Sequence, residues 1–167
     1  MGIEQVSLFF YTPRWVQKST FDYNTRCADG NPVRIVEPER LKIHEGAPVL
    51  FAVMKDWLES QGFKTASWGD GKIFDYGMVY SLFGTQQEIQ IHINETDGEV
   101  AELYCRFSIP NPSKWSSPLQ RWGDFFDEFI GRFPLRFSDD QEQCDRARFE
   151  AAVLADENYV AISNAVR

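Results

Sequence analysis

Two histidines, His44 and His92, three cysteines and a scatter of carboxylates are the chain's whole stock of candidate catalytic and metal-binding groups. The most chemical-looking pair is His92 with Glu102. A carboxylate beside an imidazole can orient it and raise its pKa, as a general base requires. The same pair also reads as a cross-strand polar contact on the wet face of a sheet, with no nucleophile beside it. Cys105 has the opposite strand parity from His92, so a Cys–His dyad on that sheet is excluded. His44 and Cys27 both lie in or near irregular segments, and nothing supports pairing them. Asp70 and Asp75 stand near Trp68, Tyr76 and Glu88, and paired carboxylates with aromatics can bind or cleave sugars. Asp70, however, sits inside Gly69-Asp70-Gly71, where a turn asks for Asp on its own account. There is no phosphate-binding Gly-x-x-x-x-Gly-Lys, no Gly-x-Gly-x-x-Gly and no nucleophile elbow. With no Cys-x-x-Cys, a metal site would have to be built from carboxylates. No catalytic residue, metal or cofactor is expected, and the chain reads as a non-enzyme.

The elements that hold these groups follow from periodicity. From Gln86 to Ile109 the chain alternates strictly: Ile89, Ile91 and Ile93, then Ala101, Leu103, Cys105, Phe107 and Ile109, interleaved with polar residues. Alternation with period two predicts two strands, each with one dry and one wet face. A two-residue Asp97-Gly98 turn with unbroken pairing would set Ile91 against Tyr104 and mix the faces. A three-residue loop, Thr96-Asp97-Gly98, instead pairs Ile93 with Ala101, Ile91 with Leu103 and Ile89 with Cys105. It then sets His92 against Glu102, Gln90 against Tyr104 and Glu88 against Arg106 on the wet face. Gly98 would supply the left-handed residue such a loop needs.

Around the hairpin, Val6 to Tyr11 reads as a first strand ended by Pro13. Residues 14–30 read as irregular, and Val33 to Val36 as a short strand stopped by Pro38. Residues 47–61 predict a helix with Pro48 in its first turn and Gly62 as its left-handed stop. Its apolar face is Val49, Leu50, Val53, Trp57 and Leu58, and Phe63 is placed to fold back on it. Lys64 to Trp68 and Ile73 to Phe83 add strands to a meander. Ser117-Pro118-Leu119-Gln120 opens a second helix with the stripe Leu119, Trp122, Phe125, Phe126, Phe129, Ile130 and Phe133, and Asp124, Asp127 and Glu128 opposite. Ser138-Asp139-Asp140-Gln141 opens a third, with a small-residue stripe of Cys144, Ala147, Ala151, Leu154 and Ala155. Residues 158–163 fit a closing strand or a fraying end, and the pattern does not choose.

The expected fold is α+β: an antiparallel meander of about 4–6 strands with two or three helices on one face, two layers in all. Residues 1–167 form one domain, of which 1–45 is partly irregular and 46–167 carries the helix, meander and later helices. A core of this size is supported by 43% hydrophobic residues, including 14 Phe and 5 Trp. The odd cysteine count and the absence of a signal-like N-terminus suit a cytoplasmic protein with reduced thiols.

A net charge of −8 repels phosphate backbones and anionic lipid. Nucleic acid and membrane are therefore excluded as direct ligands, and a basic protein is the expected partner. Inhibitors of basic enzymes, including the immunity proteins that bacteria keep against their own toxins, share this size and charge, although no motif carries that comparison further. The candidate partner-binding residues are Glu88, Gln90, His92, Glu102, Tyr104 and Arg106 on the hairpin and Asp124, Asp127 and Glu128 on the second helix. The alternative is a small-molecule pocket between the sheet and the aromatic helix. A hydrolase built on His92 and Glu102 ranks third, and the oligomeric state is left open.

Overall fold

The computed structural model describes residues 5–26, 32–42, 47–82, 84–111, 118–138 and 142–164, with the backbone alone considered for 16–26 and 32–42. Within these, an antiparallel six-stranded sheet packs one face against four helices, the expected α+β two-layer arrangement. Its strands are β1 (Gln5–Tyr11), β4 (Lys64–Thr65), β5 (Ile73–Tyr76), β8 (Ile89–Thr96), β9 (Glu99–Ser108) and β10 (Arg136–Phe137). They lie in the order β10-β1-β9-β8-β5-β4. Two ribbons stand apart from it: β2 (Trp15–Arg26) with β3 (Pro32–Lys42), and β6 (Val79–Ser81) with β7 (Gly84–Gln86). The irregular reading of 14–30 is thus corrected over 15–26, residues 27–30 lying outside the described ones, and the strand over 33–36 is longer than expected. A bulged antiparallel ribbon absorbs both prolines, Pro32 at its first residue and Pro38 at an interruption between paired stretches.

The β8–β9 hairpin corrects the expected register. Its turn is the two-residue Asp97-Gly98, with Thr96 opposite Glu99 and positive φ at both turn residues (53° and 81°). Two consecutive left-handed residues match the twist of the flanking strands. The parity problem of a two-residue turn is solved by a bulge: Glu95 faces Val100 but Asn94 faces Glu102, so Ala101 is the extra residue. Beyond it Ile93 pairs with Leu103, Ile91 with Cys105 and Ile89 with Phe107. The dry face is the expected one, shifted by two residues along β9. His92 therefore faces Tyr104 and Gln90 faces Arg106, and the expected His92–Glu102, Gln90–Tyr104 and Glu88–Arg106 pairs do not form.

All four helices cover the dry face. α1 (Phe51–Ser60) starts later than predicted, because Leu50 is extended and bridged to Glu99 and Val49 accepts a 2.8 Å backbone bond from Val100. This rotates the buried stripe to Met54, Trp57 and Leu58 and leaves Val53 and Leu50 exposed. The helix ends as expected on Gly62 (φ 101°), where Phe63 N–H donates to Leu58 and Gly62 N–H to Glu59, a Schellman ending that buries Phe63. α2 (Leu119–Arg132) buries Trp122, Phe126 and Phe129 against Phe10 and Phe107.

α3 (Arg146–Ala155) begins later than the Ser138 capping box, of which Asp139, Asp140 and Gln141 lie outside the described residues. Asp145 is its cap, accepting from Arg148 N–H at 2.7 Å. It buries Phe149 and Val153 rather than the predicted small-residue stripe, and Leu154 is exposed. Residues 158–163 belong to α4 (Glu157–Asn164), capped by Asp156, whose carboxylate accepts from the N–H groups of Asn158 and Tyr159.

Candidate functional site

The face of the sheet turned away from the helices carries side chains in cross-strand rows, set by the register of β1, β9, β8 and β5. The middle row is Phe9, Tyr104, His92 and Ile73; on one side lie Ser7, Arg106, Gln90, Asp75 and Lys64, and on the other Arg136, Tyr11, Glu102 and Asn94. The middle row is aromatic. The Phe9 and Tyr104 rings lie 5.2 Å apart, and Tyr104 and His92 are stacked at 4.2 Å with 13° between their planes. Trp68, from the loop between β4 and β5, extends the row at 5.9 Å from His92. Its ends are open: Phe9 is 54% and Trp68 64% exposed.

The polar neighbours fix the state of His92. Gln90, only 4% exposed, donates its amide N–H to Asp75 at 2.6 Å. Because a carboxylate only accepts, the Gln90 carbonyl oxygen is left facing His92 Nε2, also at 2.6 Å. Nε2 must then carry the proton, and Nδ1 is a bare acceptor in the neutral ring. Burial, reinforced by the nearby Arg106 charge and opposed by Asp75, lowers the His92 pKa from 6.5 to about 4. His92 is uncharged at neutral pH and is not oriented by a carboxylate. Glu102, the expected partner, accepts from Asn94 at 2.8 Å instead. Cys105, next along β9, is buried in the core, where desolvation raises its pKa well above the usual thiol value. A neutral, ring-stacked imidazole with no thiol on its face is suited to binding through Nδ1, not to nucleophilic catalysis.

Beside Trp68 the face sinks into a depression of about 440 Å³ lined by Asp70, Lys72, His92, Asn94, Glu95 and Tyr104. Asp70-Gly71 is a second pair of consecutive left-handed residues (φ 51° and 77°), closed by Lys72 N–H to Gly69 at 2.8 Å, so the turn reading of Asp70 stands. Lys72 Nζ is 2.6 Å from Glu95 and sits 5.2 Å over the Phe51 ring.

The structure divides the nine candidate residues between two sides. Gln90, His92, Glu102, Tyr104 and Arg106 share the outward face. Glu88 does not: it pairs with Arg121 of α2 at 2.7 Å. Asp124, Asp127 and Glu128 lie on α2, in the helical layer, and the first two are not a bare acidic patch. Arg146 of α3 bridges them at 3.0 and 2.8 Å and also reaches Glu150 at 3.4 Å. Gly123 makes this possible, since a Cβ there would lie 2.5 Å from Arg146 Nε. Phe9 escaped the sequence reading, and Trp68 entered it only beside the Asp70–Asp75 pair, not as a binding residue. Phe9 sits in the apolar run Leu8-Phe9-Phe10, and only its parity (Val6, Leu8 and Phe10 buried) marks it as outward. Trp68 lies just beyond a short strand, where alternation carries no information.

Between α2 and the sheet edge there is a smaller cleft of about 240 Å³, lined by Phe63, Tyr76, Glu88, Arg121, Trp122 and Phe125. The buried Trp122 indole N–H has no hydrogen-bond partner among the described residues. Among those residues no group of His, Cys, Asp and Glu could hold a metal ion, and no helix is long and apolar enough to cross a membrane. His44 and Cys27 lie outside the described residues. No family model, curated protein or solved structure matches this chain.

Proposed function

We propose that the protein is a non-enzymatic binding module whose outward sheet face takes a basic protein partner, as an inhibitor or immunity-type protein would. The observation that carries this reading is the half-exposed aromatic row Phe9–Tyr104–His92–Trp68, flanked by Asp75, Glu102 and Asp70 on an acidic chain. Tyr and Trp concentrate binding energy at protein interfaces, and their pre-stacked rings lose little rotamer freedom on docking. Charge complementarity to a basic surface comes from the acidic excess of the chain and from Asp70, since Arg106, Lys64 and Arg136 offset the other carboxylates of the face. Capture of a partner from native lysate, identified by mass spectrometry, tests the reading. The unaltered protein should retain one basic protein, Trp68→Ala with Tyr104→Ala should lose it, and Glu128→Lys on α2 should keep it. Capture unaffected by the double variant would defeat the proposal.

The second reading is a small ligand in the cleft under the Glu88–Arg121 pair, between the sheet and the aromatic helix, with Phe63, Tyr76 and Phe125 among its lining residues. Its volume falls below the roughly 300–1,000 Å³ of ordinary ligand pockets, which ranks it second.

A further inference from the structure

We infer that the depression beside Trp68 receives the guanidinium of an arginine side chain from the partner. The inference rests on the sheet face being the interface and names the chemistry that anchors it. The depression carries two carboxylates, Asp70 and Glu95, against the one Lys72 ammonium, and three acceptors with capacity to spare beside the Tyr104 hydroxyl. Asn94 spends its N–H on Glu102, leaving its carbonyl oxygen. His92 spends Nε2 on Gln90, leaving Nδ1. Asp70 is exposed and, among the described residues, makes no ion pair, whereas the Lys72 charge is engaged by Glu95 and lies over Phe51. The charge left to balance is therefore the Asp70 carboxylate. The other cations of this face, Arg106, Lys64 and Arg136, stand in the flanking rows, opposite Gln90, Asp75 and Tyr11.

A ligand that fits donates several hydrogen bonds, carries positive charge and has a flat surface to turn to the exposed indole of Trp68, which stands outside the depression next to its lining residues Gly69 and His92. Guanidinium meets all three requirements: a rigid fork of five donors, a permanent charge, and weak hydration that allows stacking on an aromatic face. An ammonium is compact and strongly hydrated, and cannot spread over the ring in this way. A neutral polyol would find donors in the Tyr104 hydroxyl and the Lys72 ammonium but would leave the Asp70 charge unbalanced.

The probe is Nα-acetyl-arginine amide, titrated into the full chain and followed by the Trp68 indole N–H signal in NMR. Saturable shifts should appear with a dissociation constant of about 1–10 mM, the range for a ligand of this size making a few polar contacts. Nα-acetyl-citrulline amide, nearly the same shape without the charge, should bind at least about fivefold more weakly. Asp70→Asn should weaken the arginine probe by a similar factor while leaving the amide spectrum of the fold intact. Equal binding of the two probes, or a response to methyl glucoside in place of arginine, would overturn the inference. If the arginine probe leaves Trp68 unmoved while partner capture still depends on Trp68 and Tyr104, the arginine anchor fails and the interface stands. If the probe binds as expected but capture ignores both residues, the depression keeps its preference and the interface reading fails.

Discussion

His92 shows how little of a residue's chemistry is fixed by its type. Opposite Glu102 it would be a general base with a raised pKa; opposite Tyr104, under Gln90, it is a neutral acceptor with the value lowered to about 4. Nitrogen-detected NMR should find Nε2 protonated and Nδ1 bare from pH 8 down to about 5, with titration near pH 4. A normal titration near 6.5 would mean that the ring is better solvated than its stacking implies. The sign for stability follows from the lowered value. Between pH 6.5 and about 4 the unfolded chain takes up a proton that the folded one refuses, so His92 removes stability as pH falls through that window and nothing further below it. Arg146 makes a second residue-scale point. Gly in a helix interior is unfavourable by about 1 kcal/mol relative to Ala, yet Gly123 sits there because the guanidinium crosses it. Gly123→Ala alone should change stability by less than about 1 kcal/mol, the helical gain being offset by displacement of Arg146 from Asp124 and Asp127. In an Arg146→Ala background the same change should stabilise by about 0.5–1 kcal/mol. Urea melts of the four-member cycle check both values.

At the scale of elements, the aromatic stripe of α2 is core. Phe126 stacks on Phe149 at 4.4 Å and also meets Phe10, and Phe129 stacks on Trp57 at 5.7 Å. Phe126→Ala or Phe129→Ala should each destabilise by about 3–5 kcal/mol in urea unfolding, as a cavity in a packed interior does. A loss below about 1.5 kcal/mol would instead mark the stripe as the wall of a ligand space. Gly98→Ala should destabilise by about 1–3 kcal/mol, because φ 81° suits no side chain, while Asp97→Gly should cost far less. This hairpin also marks the limit of what the sequence discloses. Alternation identified both strands, their dry face and the parity that separates Cys105 from His92. It did not identify the bulge at Ala101, because the break in alternation at Val100-Ala101 is accounted for equally by a three-residue loop with unbroken pairing. The shorter turn and the bulge each moved the cross-strand partners by one position, two in all, and with them the chemistry of His92. The same limit applied to α1, where Pro48 is equally at home in a first turn or just ahead of one. The ribbon over 15–42 lacks the clean alternation of the hairpin, and its strands were correspondingly missed or shortened.

At the scale of the whole molecule, the acidic excess is distributed unevenly in what it can do. On the helical side Asp124, Asp127 and Glu150 share Arg146, and Glu88 holds Arg121. Reversing Asp124 and Asp127 to Lys would set three cations together and strain the α2–α3 contact, so it is not a neutral probe of partner binding. On the sheet side Asp70 stands at the edge of an open aromatic row, where a charge acts on approach and the rings act on residence. Once a partner is in hand, the decisive measurement is its association and dissociation kinetics at low and high salt. The variants are Trp68→Ala with Tyr104→Ala, Asp70→Lys, and Glu128→Lys. If the outward face is the interface, the aromatic pair should raise the dissociation rate at least about tenfold, and Asp70→Lys should slow association mainly at low ionic strength, where the Debye length is longest. Glu128→Lys should change neither by more than about twofold. Contradiction would come as the reverse pattern: kinetics indifferent to Trp68, Tyr104 and Asp70 but sensitive to Glu128 would move the interface to the helical layer.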